Sequence, residues 1–85
     1  MAKVFYPKDF ILVDSKSSEH PPNTQYKVAI GAEDWNGRHV DVIKVQMVYD
    51  GRISGRRSPS YPIETDDYDR VHKAVLELKE RYGIK

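Results

Sequence analysis

The chain has 85 residues, enough for one small domain whose limited core oligomerisation often supplements. Fourteen lysines and arginines against 13 aspartates and glutamates leave a net charge of +1, so bulk charge does not point to nucleic acid, and what matters is where the charges lie. With no cysteine, disulfides and thiolate metal sites are excluded, no apolar run approaches the roughly 18 residues of a membrane span, and MAKVFYPKDF lacks the apolar core of a signal peptide. These features predict a soluble, cytoplasmic protein, nucleoid-associated or, in a eukaryote, nuclear.

Residues 1–24 are set apart as an N-terminal segment, an edge strand or a tail that folds onto a ligand. Phe10-Ile11-Leu12-Val13 suits a short strand, and Pro7 suits its edge or entry. Ser15 to Thr24 is polar, holds two prolines, and reads as a loop. Residues 25–85 form the main domain. Tyr26, Val28, Ile30 and Ala32 alternate with Lys27, Ala29 and Gly31, the pattern of a half-buried strand. Asn36-Gly37 then marks a tight hairpin, because both residues tolerate positive φ.

The next strand runs from about Arg38 to Tyr49 and is rich in β-branched residues. Val40 and Val42 point one way, and Ile43, Val45, Met47 and Tyr49 point the other. This change of parity predicts either a bulge or a strand used on both faces. Asp50-Gly51 is a second hairpin turn, and a third strand starts near Arg52. Pro59 and Pro62 forbid a regular central strand beyond it.

Thr65, as N-cap, and Asp66-Asp67 open a helix. Tyr68, Val71, Val75, Leu78 and Tyr82 recur at spacings of three and four, an amphipathic stripe, with Ala74 and Leu76 flanking it. Gly83 supplies the stop. The expected class is α+β: a curved antiparallel sheet of about four strands followed by one long C-terminal amphipathic helix.

Catalytic constellations are poor. His20, His39 and His72 lie in a loop, near a hairpin and on the helix, without metal-ligand spacing. Asp66, Asp67 and Asp69 suit helix-start charges, and no phosphate-binding glycine loop is followed by a helix. No enzyme activity, metal or cofactor is expected. The hairpin region differs. Lys27, Arg38, Lys44, Arg52, Arg56 and Arg57 are interleaved with Trp35, Tyr49 and Tyr61. Basic groups track phosphates and aromatic faces stack bases, a mixture suited to single-stranded nucleic acid. The bland reading is that such arginines keep a sheet edge soluble. Glu33, Asp34, Asp41 and Asp50 count against a simple basic surface.

Trp35-Asn36-Gly37-Arg38, Val42-Ile43-Lys44, Asp50-Gly51, Gly55-Arg56-Arg57 and a helix led by Tyr68 come in an order that resembles the positive cofactor four family of transcriptional coactivators. The resemblance spans roughly residues 26–82, and its motifs are short. It implies a four-stranded antiparallel sheet, a helix, chains paired through their helices, and grooves for single-stranded DNA. By position, Trp35 matches the family's stacking aromatic and Arg38 the basic residue after the turn glycine. Lys44 matches the arginine of an Ile-Arg strand, a change in geometry though not in charge. Arg56 and Arg57 match the Gly-Arg-Lys basics. Met47 stands where the family often has a second aromatic, a role Tyr49 could take. Ser58 to Ile63 is longer than the family's equivalent and carries two prolines.

The expectation is a homodimer that binds single-stranded DNA, with RNA the other candidate, largely without sequence preference and in support of transcription, replication or repair. Phosphates would meet Arg38, Lys44, Arg52, Arg56 and Arg57, with Lys27 lending charge, and bases would stack on Trp35 and Tyr49. Val71, Val75, Leu76, Leu78 and Tyr82 would form the dimer face, since their stripe is wider than a small sheet needs. The alternative is a protein-interaction module whose basic hairpin meets an acidic partner. Duplex DNA read by the sheet is a third possibility.

Overall fold

The computed structural model describes residues 4–84. Its elements are β1 (Phe5–Asp14), β2 (Thr24–Trp35), β3 (Arg38–Tyr49), β4 (Arg52–Ser54) and α1 (Asp67–Arg81). The strands make one antiparallel sheet in chain order, and the helix comes last. Both hairpins turn on two residues of positive φ, Asn36-Gly37 at 56° and 83° and Asp50-Gly51 at 52° and 82°. That is the type I′ geometry whose twist matches paired strands.

The pairing of β2 with β3 runs unbroken from Trp35 opposite Arg38 to Thr24 opposite Tyr49. The parity change in β3 therefore records two used faces, not a bulge. The bulge lies in β1, where the register with β2 shifts between Pro7 and Asp9. There β1 crosses so close to Gly31 that an added Cβ would collide with the Tyr6 carbonyl oxygen. Only glycine admits that approach. The fourth strand of the sheet is thus the N-terminal β1. No strand forms across Ser58–Ile63, where Pro59 and Pro62 break the ladder.

The helix covers one face of the sheet, over β1 and β2. The core between them is Val13, Tyr26, Val28, Ile30 and Met47 against Val71, Ala74 and Leu78. This buried stripe is rotated from the one the spacing suggests. Ala74 sits inside, where its small side chain lets the helix approach, while Tyr68 is 55% exposed. Of the five residues expected at a dimer face, Val71 and Leu78 are consumed by the chain's own core, at 2% and 0% exposure. Val75 packs beside them.

The N-terminus of α1 is anchored by Asp67, which is fully buried. Its carboxylate accepts hydrogen bonds from Ser15 Oγ (2.6 Å), the Lys16 N–H (2.9 Å), Tyr26 Oη (2.9 Å) and Arg70 Nη2 (2.6 Å). Burial alone would raise this carboxyl, but the Lys16 N–H, the two hydroxyls and Arg70 outweigh it and hold it below the ordinary range. Burial together with the Asp67 hydrogen bond pushes the Tyr26 hydroxyl far up. The N-cap is Asp66, one residue later than expected, and Thr65 Oγ1 instead accepts the Asp67 N–H at 3.3 Å. At the other end Gly83, with φ +64°, closes the helix. Its N–H donates to the Glu80 carbonyl and that of Ile84 to Lys79, the Schellman pattern.

Candidate nucleic-acid interface

Strand alternation sends the residues opposite to the core onto a face that no other described element covers. From the register this open face carries Phe10 and Leu12 on β1, Lys27, Glu33 and Trp35 on β2, and Arg38, Val40, Val42, Lys44 and Gln46 on β3. Phe10 is 48% exposed, Leu12 46% and Trp35 38%. Lys27 Nζ lies 4.6 Å from the centroid of the Phe10 ring and Lys44 Nζ 5.4 Å from that of Phe5, within cation–π range.

Trp35 and Arg38 are opposite neighbours closing the first hairpin. Glu33 organises the face near the first hairpin. It is 7% exposed, accepts the Trp35 indole N–H at 2.8 Å, and holds the Lys44 ammonium at 2.5 Å. Lys44 therefore faces the surface expected of it, but with its charge partly matched. The indole is anchored by its edge, in the plane of the ring.

The arginines divide. Arg56 and Arg57 are exposed on the bend after β4. They share a groove of about 430 Å³ with Lys44, Val45, Gln46 and Ser54, so the basic surface continues around the β4 edge. Arg52 pairs with Tyr49, and both belong to the helix side of the sheet, because Tyr49 packs against the core. The single groove expected from sequence thus splits. Lys27, Trp35, Arg38 and Lys44 share the open face, Arg56 and Arg57 adjoin it, and Tyr49 and Arg52 lie behind it. Arg57 also lines a hollow with Tyr49, His20 and Ser60, and so joins the two groups.

Phe5 and Phe10 are the surface aromatics that sequence reasoning missed. The signal was present but diluted. Alternation within Phe10-Ile11-Leu12-Val13 separates Phe10 and Leu12 from the core-facing Ile11 and Val13, and four consecutive apolar residues mask it.

On the helix, Tyr82 Oη donates to Asp9 Oδ2 at 3.0 Å and Lys8 Nζ sits 4.3 Å from the centre of its ring. Tyr82 is thereby engaged by β1. Leu76, at 49% exposure, is the member of the expected dimer face most open to a partner. Among the described residues no group of three or more His, Asp or Glu could hold a metal ion. Among the described residues no helix is long and apolar enough to cross a membrane.

Comparison with protein families, characterised proteins and solved structures gave no match.

Proposed function

We propose that the protein is a non-catalytic, homodimeric binder of single-stranded nucleic acid, DNA foremost, acting largely without sequence preference in support of transcription, replication or repair. The observation that carries this reading is the open sheet face. It presents Trp35, Phe10 and Phe5 among Lys27, Arg38 and Lys44, with Arg56 and Arg57 at its rim. Splayed bases find ring faces there and the phosphates find cations. The motif order shared with the positive cofactor four family supports the same reading. Tyr49 and Arg52 are left out of the proposed contact, since they lie on the helix side.

The apolar Val40, Val42 and Leu12 set among the basic groups favour a second reading, a protein partner with its own acidic and apolar groups. Titration of Trp35 fluorescence with a single-stranded oligonucleotide, the matching duplex and a salt series separates the two. Quenching by the single strand that weakens with salt is the expected result. Absence of binding to either nucleic acid overturns the proposal in favour of the protein partner, and tighter binding to duplex makes the sheet a duplex reader.

A further inference from the structure

The two long edges of the sheet are treated differently. In a two-residue type I′ hairpin the closing pair exchanges both main-chain bonds, and bonded pairs recur at every second residue. Trp35 and Arg38 close the first hairpin, so Arg38, Val40, Val42, Lys44, Gln46 and Val48 bond to β2. The odd-numbered residues of β3 face away from β2, and Met47 and Tyr49 among them meet β4. His39, Asp41, Ile43 and Val45 therefore turn N–H and C=O outward, with no hydrogen bond to a described residue. By the same count Phe10, Leu12 and Asp14 face outward on β1. That edge is blunted. It holds Pro7 and the bulge, the Phe10 N–H donates to Asp9 Oδ1 at 2.8 Å, and the Asp14 carbonyl accepts from Arg70 Nη1 at 2.7 Å. Natural sheets protect a solvent-facing edge with devices of this kind. Among the described residues the β3 edge from His39 to Ile43 has no proline, no bulge and no side chain bonded to its outward groups, and the segment after β4 flanks it only from Lys44 on.

We infer that a second copy of this chain adds to the β3 edge, antiparallel about Val42, to make one continuous eight-stranded sheet. This rests on the homodimer in the proposed function and moves its interface from the helices to the strand. The edge matches itself in that arrangement. His39 falls opposite Val45 and Asp41 opposite Ile43, so each outward N–H and C=O meets its complement. Charges match as well. Asp34 and Asp41 lie toward the Asn36-Gly37 end of β3, while Arg56 and Arg57 flank its other end at Val45 and Gln46. Antiparallel pairing brings Asp34 and Asp41 of one copy toward Arg56 and Arg57 of the other, while Arg38 at the same end lies on the open face. There is room on the helix side, because α1 sits over β1 and β2. It leaves a hollow of about 440 Å³ along β3, lined by Ile30, Asp41, Val42, Ile43, Lys79 and Ile84, for the partner strand's side chains.

The pairing also completes the open face. Within one chain Arg38 stands eight residues along β3 from Gln46, about 27 Å. In the pair, Arg38 of the second copy lies directly across from Gln46, about 5 Å away and beside Lys44 and Lys27. Two separated basic groups become one track, and the molecule gains two such tracks related by symmetry.

The test uses the full chain, by sedimentation velocity over a concentration series and amide hydrogen exchange. The wild type is expected to sediment as a dimer with the His39, Asp41, Ile43 and Val45 amides protected. Asp41→Pro, at an exposed residue whose N–H points outward, is expected to be a monomer with unchanged circular dichroism, and Leu76→Asp is expected to remain a dimer. A wild-type monomer at every concentration overturns the inference. So does a dimer in which those four amides exchange freely, or one broken by Leu76→Asp and not by Asp41→Pro. If Asp41→Pro fails to fold, the wild-type exchange pattern decides alone. Oligonucleotide titration keeps the ligand question separate. An edge-paired dimer that ignores nucleic acid sinks only the ligand, whereas a monomeric Asp41→Pro that binds about tenfold more weakly supports both.

Discussion

Two carboxylates set the character of the molecule at the scale of single residues, one structural and one at the candidate site. Asp67 is a buried charge that survives because Ser15, Lys16, Tyr26 and Arg70 all address it. Asp67→Ala strands these donors and is expected to destabilise the fold by about 3 kcal/mol, read by urea denaturation. Its folded-state pKa lies below the ordinary 3.8. The stabilisation is therefore fully present above the unfolded value and is lost as pH falls through the lower folded value. Asp67→Asn should flatten the acid limb of the stability profile below about pH 4, whereas wild-type steepness in the variant would remove Asp67 as its source. Glu33 acts the other way, holding Lys44 back from any ligand. Glu33→Gln can keep an acceptor for the indole and releases the ammonium. It is expected to tighten binding of a single-stranded oligonucleotide about fivefold, the equivalent of roughly 1 kcal/mol. Unchanged affinity would mean that Lys44 does not meet the phosphates.

At the scale of elements, the readable parts were those with local causes. Asn36-Gly37 and Asp50-Gly51 announced their hairpins because the type I′ turn needs those residues. The alternation in β2 placed Tyr26, Val28 and Ile30 in the core, and Gly83 ended the helix. The bends of β1 were hidden, since a bulge at Pro7 depends on which backbone approaches Gly31, a contact between residues far apart in sequence. The helix stripe was misjudged for a similar reason. Periodicity alone cannot decide between Tyr68 and Ala74, whereas the close approach of helix and sheet selects the smaller side chain. Gly31→Ala tests the bulge. Its Cβ would collide with backbone, not with a movable side chain, so a loss of about 2 kcal/mol in denaturation, with lost protection along β1, is expected. A silent substitution would mean that β1 can lift away from β2 at no cost.

For the whole molecule, the order sheet then helix was legible from the strand turns and the final amphipathic segment, but the division of labour between the two sheet faces was only partly so. Lys44 and Tyr49 already differed in parity in the sequence, and the structure places them on opposite sides. The basic and aromatic residues are therefore a two-sided set and not one groove. The arginine bend remains the outermost basic feature next to the open face. If Arg56 and Arg57 each meet a phosphate, replacing both by alanine should lower the slope of log K against log salt by about 1.4. An unchanged slope with an intact fold would confine ligand contact to the open face alone.

The ties between Asp9 and the last turn of the helix, through Arg81 at 3.1 Å and Tyr82 at 3.0 Å, bear on the order of folding. The β2–β3 hairpin has its ends close in sequence and can zip from Asn36-Gly37 at little entropic cost. The Asp9 contacts instead close a loop spanning most of the chain, and such contacts are costly until the rest is in place. Substitutions at the first hairpin should slow refolding, and Asp9→Ala should chiefly speed unfolding. The strand β1, though it precedes the hairpin in the chain, would then be secured after it.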